Sequence, residues 1–157
     1  MRRAWAGLLG AAVALAAAGP AAAAEKVILD SDFNTIGDDG QALVMLAQAM
    51  REGKVDLLGI STVTGNAWRE QETADALRAV ERLGIADRVG VYPGALHPLL
   101  HDRETLALEQ QLFGKGYAGA WQQKEPEGPG DLAAPPDGFA KSAKAQGKSG
   151  VDFSSTR

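Results

Sequence analysis

Between Asp30 and Gly40 the chain reads DSDFNTIGDDG, placing the carboxylates of Asp30, Asp32, Asp38 and Asp39 directly behind the apolar run Val27-Ile28-Leu29. Two unit charges about 4 Å apart repel by roughly 4 kcal/mol at an effective dielectric near 20, so converging these side chains calls for a hard divalent cation among them. Asp32 and Asp39 are the candidate direct ligands to Ca²⁺ or Mg²⁺, with Asp30 and Asp38 close behind. A cation of this kind leaves room in its shell for water and substrate hydroxyls. Water held beside a carboxylate is a ready nucleophile, because the cation eases its deprotonation and the carboxylate takes the proton. The plainer reading has Asp38 or Asp39 capping a helix and Asp30 ending a strand, which accounts for one or two of the four acids.

The elements that must position these residues follow from the hydrophobic pattern. Lys26 to Asp30 reads as a fully buried strand, since Val27, Ile28 and Leu29 run consecutively rather than alternating with polar residues. A helix is expected from Asp38 or Asp39 to about Glu52, with Leu43, Leu46, Ala47 and Met50 on one face and Gly53 as its stop. Val55 to Val63 reads as a second buried strand. Arg69 to Leu83 reads as a second helix, with Ala74, Leu77 and Val80 inward and Glu70, Glu81 and Arg82 in water, ended by Gly84. Arg88 to Tyr92 supplies a third short strand. This alternation predicts βαβ units and a parallel sheet, an α/β Rossmann-like fold. Ligands of such sheets bind outside the carboxyl ends of the strands, where Asp30 to Asp39, Thr62 to Trp68 and Pro93 to His97 all fall.

Beyond the third strand the pattern weakens. His101 to Phe113 is expected to be an amphipathic helix through Leu106, Leu108 and Leu112. From Gly114 to Gly138, ten of 25 residues are Gly or Pro, which predicts a surface excursion, or else a lid carrying Tyr117 and Trp121. With three strands the sheet is incomplete and one flank is left unpaired.

Residues 1–24 begin Met-Arg-Arg, continue through an Ala/Leu/Val/Gly stretch and close on four alanines, the pattern of a secretory signal peptide cleaved near Ala24. The expected destination is the periplasm or the medium. Losing Arg2 and Arg3 takes the balance from 16 basic and 20 acidic residues to 14 and 20. An acidic domain without a Lys/Arg cluster is a poor partner for nucleic acid or an anionic membrane surface, and small neutral or cationic ligands suit it better. Cysteine is absent, so any metal sits on oxygen, or on His97 and His101, which otherwise read as surface residues.

The strand ending in DxD, the DD pair opening the next helix and the segment STVTGN ending the second strand together resemble the amino-terminal half of the inosine/uridine-preferring nucleoside hydrolases. The resemblance runs from Lys26 to Phe153, with YPGALHPLL fitting as the segment after the third strand. It divides the chain into a signal peptide over 1–24, the amino-terminal part of a nucleoside hydrolase-like domain over 25–153 and a non-family tail over 154–157. It implies a calcium-dependent N-glycosyl hydrolase, a purine or pyrimidine nucleosidase, that cleaves ribonucleosides to ribose and free base and can form a homo-oligomer. Carried over residue by residue, Asp32 is the metal-binding carboxylate that accepts the proton of the attacking water. Asp39 is a second calcium ligand, Asp30 a supporter of the metal shell, and Asp38 and Asn66 hold the ribose.

The chain also departs from the family pattern. The commonest form is DxDxGxDDA, whereas Phe33 to Gly37 lengthens the loop by two residues and Gly40 replaces the usual Ala. The His-Gly loop of many members has no histidine here in LFGKGYAGAW. Family domains are longer, and their second half supplies a further calcium ligand, more ribose contacts and a histidine that protonates the leaving base. GVDF looks like the start of a family helix and SSTR does not, the pattern of a truncated or frameshifted product. Two alternatives stay open: a non-catalytic remnant or nucleoside-binding protein, and a haloacid dehalogenase-like phosphatase. In the phosphatase reading Asp30 is the nucleophile, Asp32 the acid/base, and Ser61 or Thr62 the phosphate ligand.

Overall fold

The computed structural model describes residues 23–141. The expected leader, apart from Ala23 and Ala24, and the segment from Ser142 to Arg157 lie outside the described residues. Three parallel strands, β1 (Glu25–Ser31), β2 (Val55–Thr62) and β3 (Gly90–Pro93), form one sheet in the order β1-β2-β3. Helix α1 (Asp38–Arg51) connects the first two strands and helix α2 (Arg69–Arg82) the last two. Helix α3 (Arg103–Phe113) follows, then short 3-10 turns at Gly119–Gln122 and Pro129–Asp131. The expected Rossmann-like α/β architecture is therefore the one observed.

Each helix has local reasons to start and stop where it does. Asp38 and Asp39 lie in the first turn of α1, where acidic groups complement the helix dipole, and Gly53 takes a left-handed φ of 71° just beyond its end. The Thr64 hydroxyl accepts the Arg69 N–H at 3.1 Å at the start of α2, and Gly84, at φ 68°, follows its end. Asp102 caps α3 by accepting the Thr105 N–H at 2.7 Å.

Sequential right-handed crossovers to neighbouring strands place both connecting helices on one face. Leu43, Ala47 and Met50 of α1 share a single core with Ala76, Leu77 and Val80 of α2. The sheet side of that core is Leu57, Ile60 and Val91, with Val27 and Leu29 packed against it. On the opposite face Ile28, Leu58 and Tyr92 remain 67%, 46% and 50% exposed.

Four sequence expectations change here. β1 is an edge strand with alternating burial, not a fully buried one, because only one face of the sheet carries helices. Helix α3 buries no residue, and its Leu108 and Leu112 stay exposed, because it lies beside the segment from Lys115 to Gln122 rather than on the sheet. The Gly/Pro-rich stretch departs as well, since it returns to the domain along two lines. Ala120 N–H donates to the Gly65 carbonyl at 2.9 Å, and Ala133 exchanges two hydrogen bonds with the Gln71 side chain. Glu81, expected in water, accepts the Lys141 N–H at 3.0 Å and pairs with Arg78.

Candidate functional site

The carboxyl ends of β1 and β2 deliver the acidic loop and the Thr64–Trp68 turn side by side. Asp32 Oδ2 accepts the Asn66 main-chain N–H at 3.1 Å, and Asn66 Nδ2 donates to the Asp32 carbonyl at 2.8 Å. Gly65 allows this approach: a Cβ there would lie 2.4 Å from both Cβ and Oδ2 of Asp32. Tyr117 closes the arrangement from the Gly-rich segment, its hydroxyl donating to Asn66 Oδ1 at 3.1 Å. Gly119, at φ 51°, passes so close to the turn that a Cβ would sit 2.0 Å from the Gly65 carbonyl oxygen.

Asp39 reaches the same corner from the first turn of α1. Its Oδ1 accepts from the Ser31 hydroxyl at 2.5 Å, while Oδ2 is buried without a hydrogen-bond partner. Partial burial holds the Asp32 carboxyl above its ordinary pKa, the Asp39 charge raises it further and Asp38 adds a smaller push, against hydrogen bonds from backbone amides. Asp38 is solvent-exposed. Asp30 stands apart: it is exposed and pairs in register with Ser61, which in turn pairs with Tyr92 on the uncovered face. Ser31, one residue on, faces the helices, and its hydroxyl holds Asp39. Strand alternation turns the two neighbours to opposite faces.

A further carboxylate, absent from the sequence reading, lies beneath the turn. Glu72 in the first half of α2 is 0% exposed, and its Oε1 accepts the Ala67 N–H at 2.8 Å. Its Oε2 is buried without a partner. Burial pushes the Glu72 carboxyl up to about 8; the Ala67 amide opposes this, and the charges of Asp32 and Asp39 add to it. One signal of its burial was available. Glu72 is one helical turn from Ala76 and two from Ala79, on the buried side of α2.

A cavity of about 320 Å³ opens over this corner, lined by Asp32, Thr64, Gly65, His101, Glu109 and Tyr117 among others. His101 Nε2 lies 2.7 Å from Glu109 Oε1 at its wall. Trp68 is buried, edge-on to Trp121 with ring centroids 5.2 Å apart, so it packs the base of the Gly-rich segment. The Thr62 hydroxyl is 2.7 Å from the Thr73 hydroxyl in the core, which leaves it poorly placed as a phosphate ligand.

The donor chemistry suits a hard cation as part of a site. Asp32 and Asp39 are oxygen ligands, they raise each other's energy when both are charged, and Asp39 Oδ2 is an orphaned buried acceptor. Among the described residues no three His, Asp or Glu side chains gather closely enough to hold a metal by themselves.

The family model for inosine-uridine preferring nucleoside hydrolases matches residues 27–154. An uncharacterized protein of Schizosaccharomyces pombe is 34% identical over 95 residues, a stretch that covers 60% of this chain and 28% of that protein.

Proposed function

The chain belongs to the inosine-uridine preferring nucleoside hydrolase family, and on that premise we propose that it cleaves the N-glycosidic bond of ribonucleosides with calcium as its metal. The observation that carries this reading is the junction of Asp32 and Asn66, with Asp39 beside them and a nucleoside-sized cavity above. Asp32 and Asp39 would hold the cation, which when bound supplies positive charge that eases deprotonation of water and draws in vicinal ribose hydroxyls.

The remaining work belongs to the side chains. Asp32 accepts the proton of the water that attacks the anomeric carbon. Asn66 fixes the orientation of Asp32, and the family resemblance gives it the ribose, with Asp38 at the solvent side of the same corner. Asp30, on the other face of the strand, acts at most through its backbone neighbours. Departure of the base passes through an oxocarbenium-like state, as in glycoside hydrolysis, and ribose and free base are the products. The partner is thus a small-molecule nucleoside, and the leader over residues 1–24 directs the protein to the periplasm or the medium.

The test is release of base from inosine and uridine with Ca²⁺ and with a chelator. Calcium-dependent release supports the assignment. A non-catalytic reading is favoured by one observation, the lack of three gathered acidic or histidine ligands among the described residues. Calorimetry that finds calcium and ribose binding without base release would establish it, and release of phosphate from a phosphoester would point instead to the phosphatase reading.

A further inference from the structure

We propose that Glu72 is a positioning residue for the Asp32–Asn66 pair, clamping the Gly65–Ala67 turn from below so that Asn66 meets Asp32 in one fixed geometry. The inference rests on the nucleoside hydrolase reading for its functional half and on geometry alone for its structural half.

The turn is short and its backbone is heavily committed. Gly65 N–H donates to the Ala67 carbonyl at 3.0 Å, and the Gly65 carbonyl accepts from Ala120. Asn66 N–H and Nδ2 both go to Asp32. The Ala67 N–H is the remaining donor, and it points down into the core, away from the cavity. A buried N–H without an acceptor is strongly disfavoured, so the turn keeps this shape only where an acceptor rises to meet it. Glu72 supplies that acceptor at 2.8 Å from the first half of α2, and the Thr64 hydroxyl returns the favour by accepting the Arg69 N–H. Turn and helix are thereby locked from both sides of Asn66.

A carboxyl is a costly choice for a merely structural acceptor at 0% exposure, beside two other acids and with one oxygen unpartnered. Glu72 is not among the residues that line the cavity, which separates it from the groups that meet substrate. Its effect on chemistry therefore passes through Asn66.

Two variants of the full chain test this: Glu72→Met, which keeps volume and helix propensity but removes the acceptor, and Glu72→Gln, which keeps an acceptor. The first readout is amide hydrogen exchange. Glu72→Met is expected to speed exchange at Asn66 and Ala67 by about tenfold or more while amides of β2 and the second half of α2 are unchanged, and Glu72→Gln is expected to recover most of the protection. The second readout is calcium affinity by calorimetry, expected to fall about 10- to 100-fold in Glu72→Met, as for other groups that orient metal ligands, and to recover in Glu72→Gln. Unchanged exchange at Asn66 and Ala67 overturns the clamp. Faster exchange with undiminished calcium affinity overturns the positioning role. If the wild-type chain neither binds calcium nor releases base, the functional reading fails instead, and the exchange result still decides the clamp.

Discussion

At the scale of single residues, the site depends on how closely two backbones approach. Asp32 and Asn66 were legible in the sequence because DxD and TGN each end a strand, and parallel neighbours bring strand ends together. Ser31 was not, because the sequence does not say which face of β1 the helices cover, and that choice turns Ser31 rather than Asp30 toward Asp39. Glu72 was missed for a related reason: REQET reads as a wet first turn until the Thr64–Trp68 turn folds over it. Gly65 gives the sharpest prediction here. A methyl group at this position collides with the Asp32 side chain, so Gly65→Ala is expected to lower base release by about 100-fold or more while far-UV circular dichroism is unchanged, a loss typical of a displaced catalytic group. A rate within a few-fold of wild type would show that Asp32 has room to move aside.

At the scale of elements, α2 is the part that joins core to site. Its Ala76, Leu77 and Val80 fill the core, while Glu72 and Thr73 face the strand ends. The alternation of strands and helices fixed this arrangement in advance, and helix limits fell within one or two residues of those expected. The Gly-rich segment was illegible because composition marks a loop but not what the loop touches; Tyr117, Trp121 and Ala120 dock it onto the turn. Thr73→Val tests the seam between α2 and β2. The Thr73 hydroxyl donates to the Arg69 carbonyl at 2.7 Å and lies against Thr62, so its loss leaves a buried hydroxyl unpartnered. The expected cost is about 1–3 kcal/mol in denaturant unfolding. An unchanged midpoint would mean that the Thr62 hydroxyl finds another partner.

At the scale of the whole molecule, buried acids set the pH response. The folded pKa of Glu72 is about 8 against an ordinary 4.5, and that of Asp75 is about 6 against 3.8, both because burial disfavours the charged form. The folded state therefore keeps protons that the unfolded chain releases, so stability falls as pH rises from about 4 and levels off above about 8. In calcium-free buffer the melting temperature is expected to be higher at pH 5 than at pH 8, and Glu72→Gln is expected to remove most of that fall. A wild-type melting temperature that rises across this interval would show that Glu72 is charged in the fold. Calcium acts in the opposite sense, since a cation at Asp32 and Asp39 favours the ionised form of every nearby acid.

In the proposed calcium-dependent cleavage of ribonucleosides, Asp32 takes the proton from water. Base release from inosine and uridine by the full-length protein, with saturating Ca²⁺ and with chelator, compared between wild type and Asp32→Asn, tests it directly. The predicted result is release that needs calcium and falls by about a thousandfold or more in Asp32→Asn, the loss of both a general base and a metal ligand. Asp32→Asn protein that releases base at an undiminished rate would contradict the assignment.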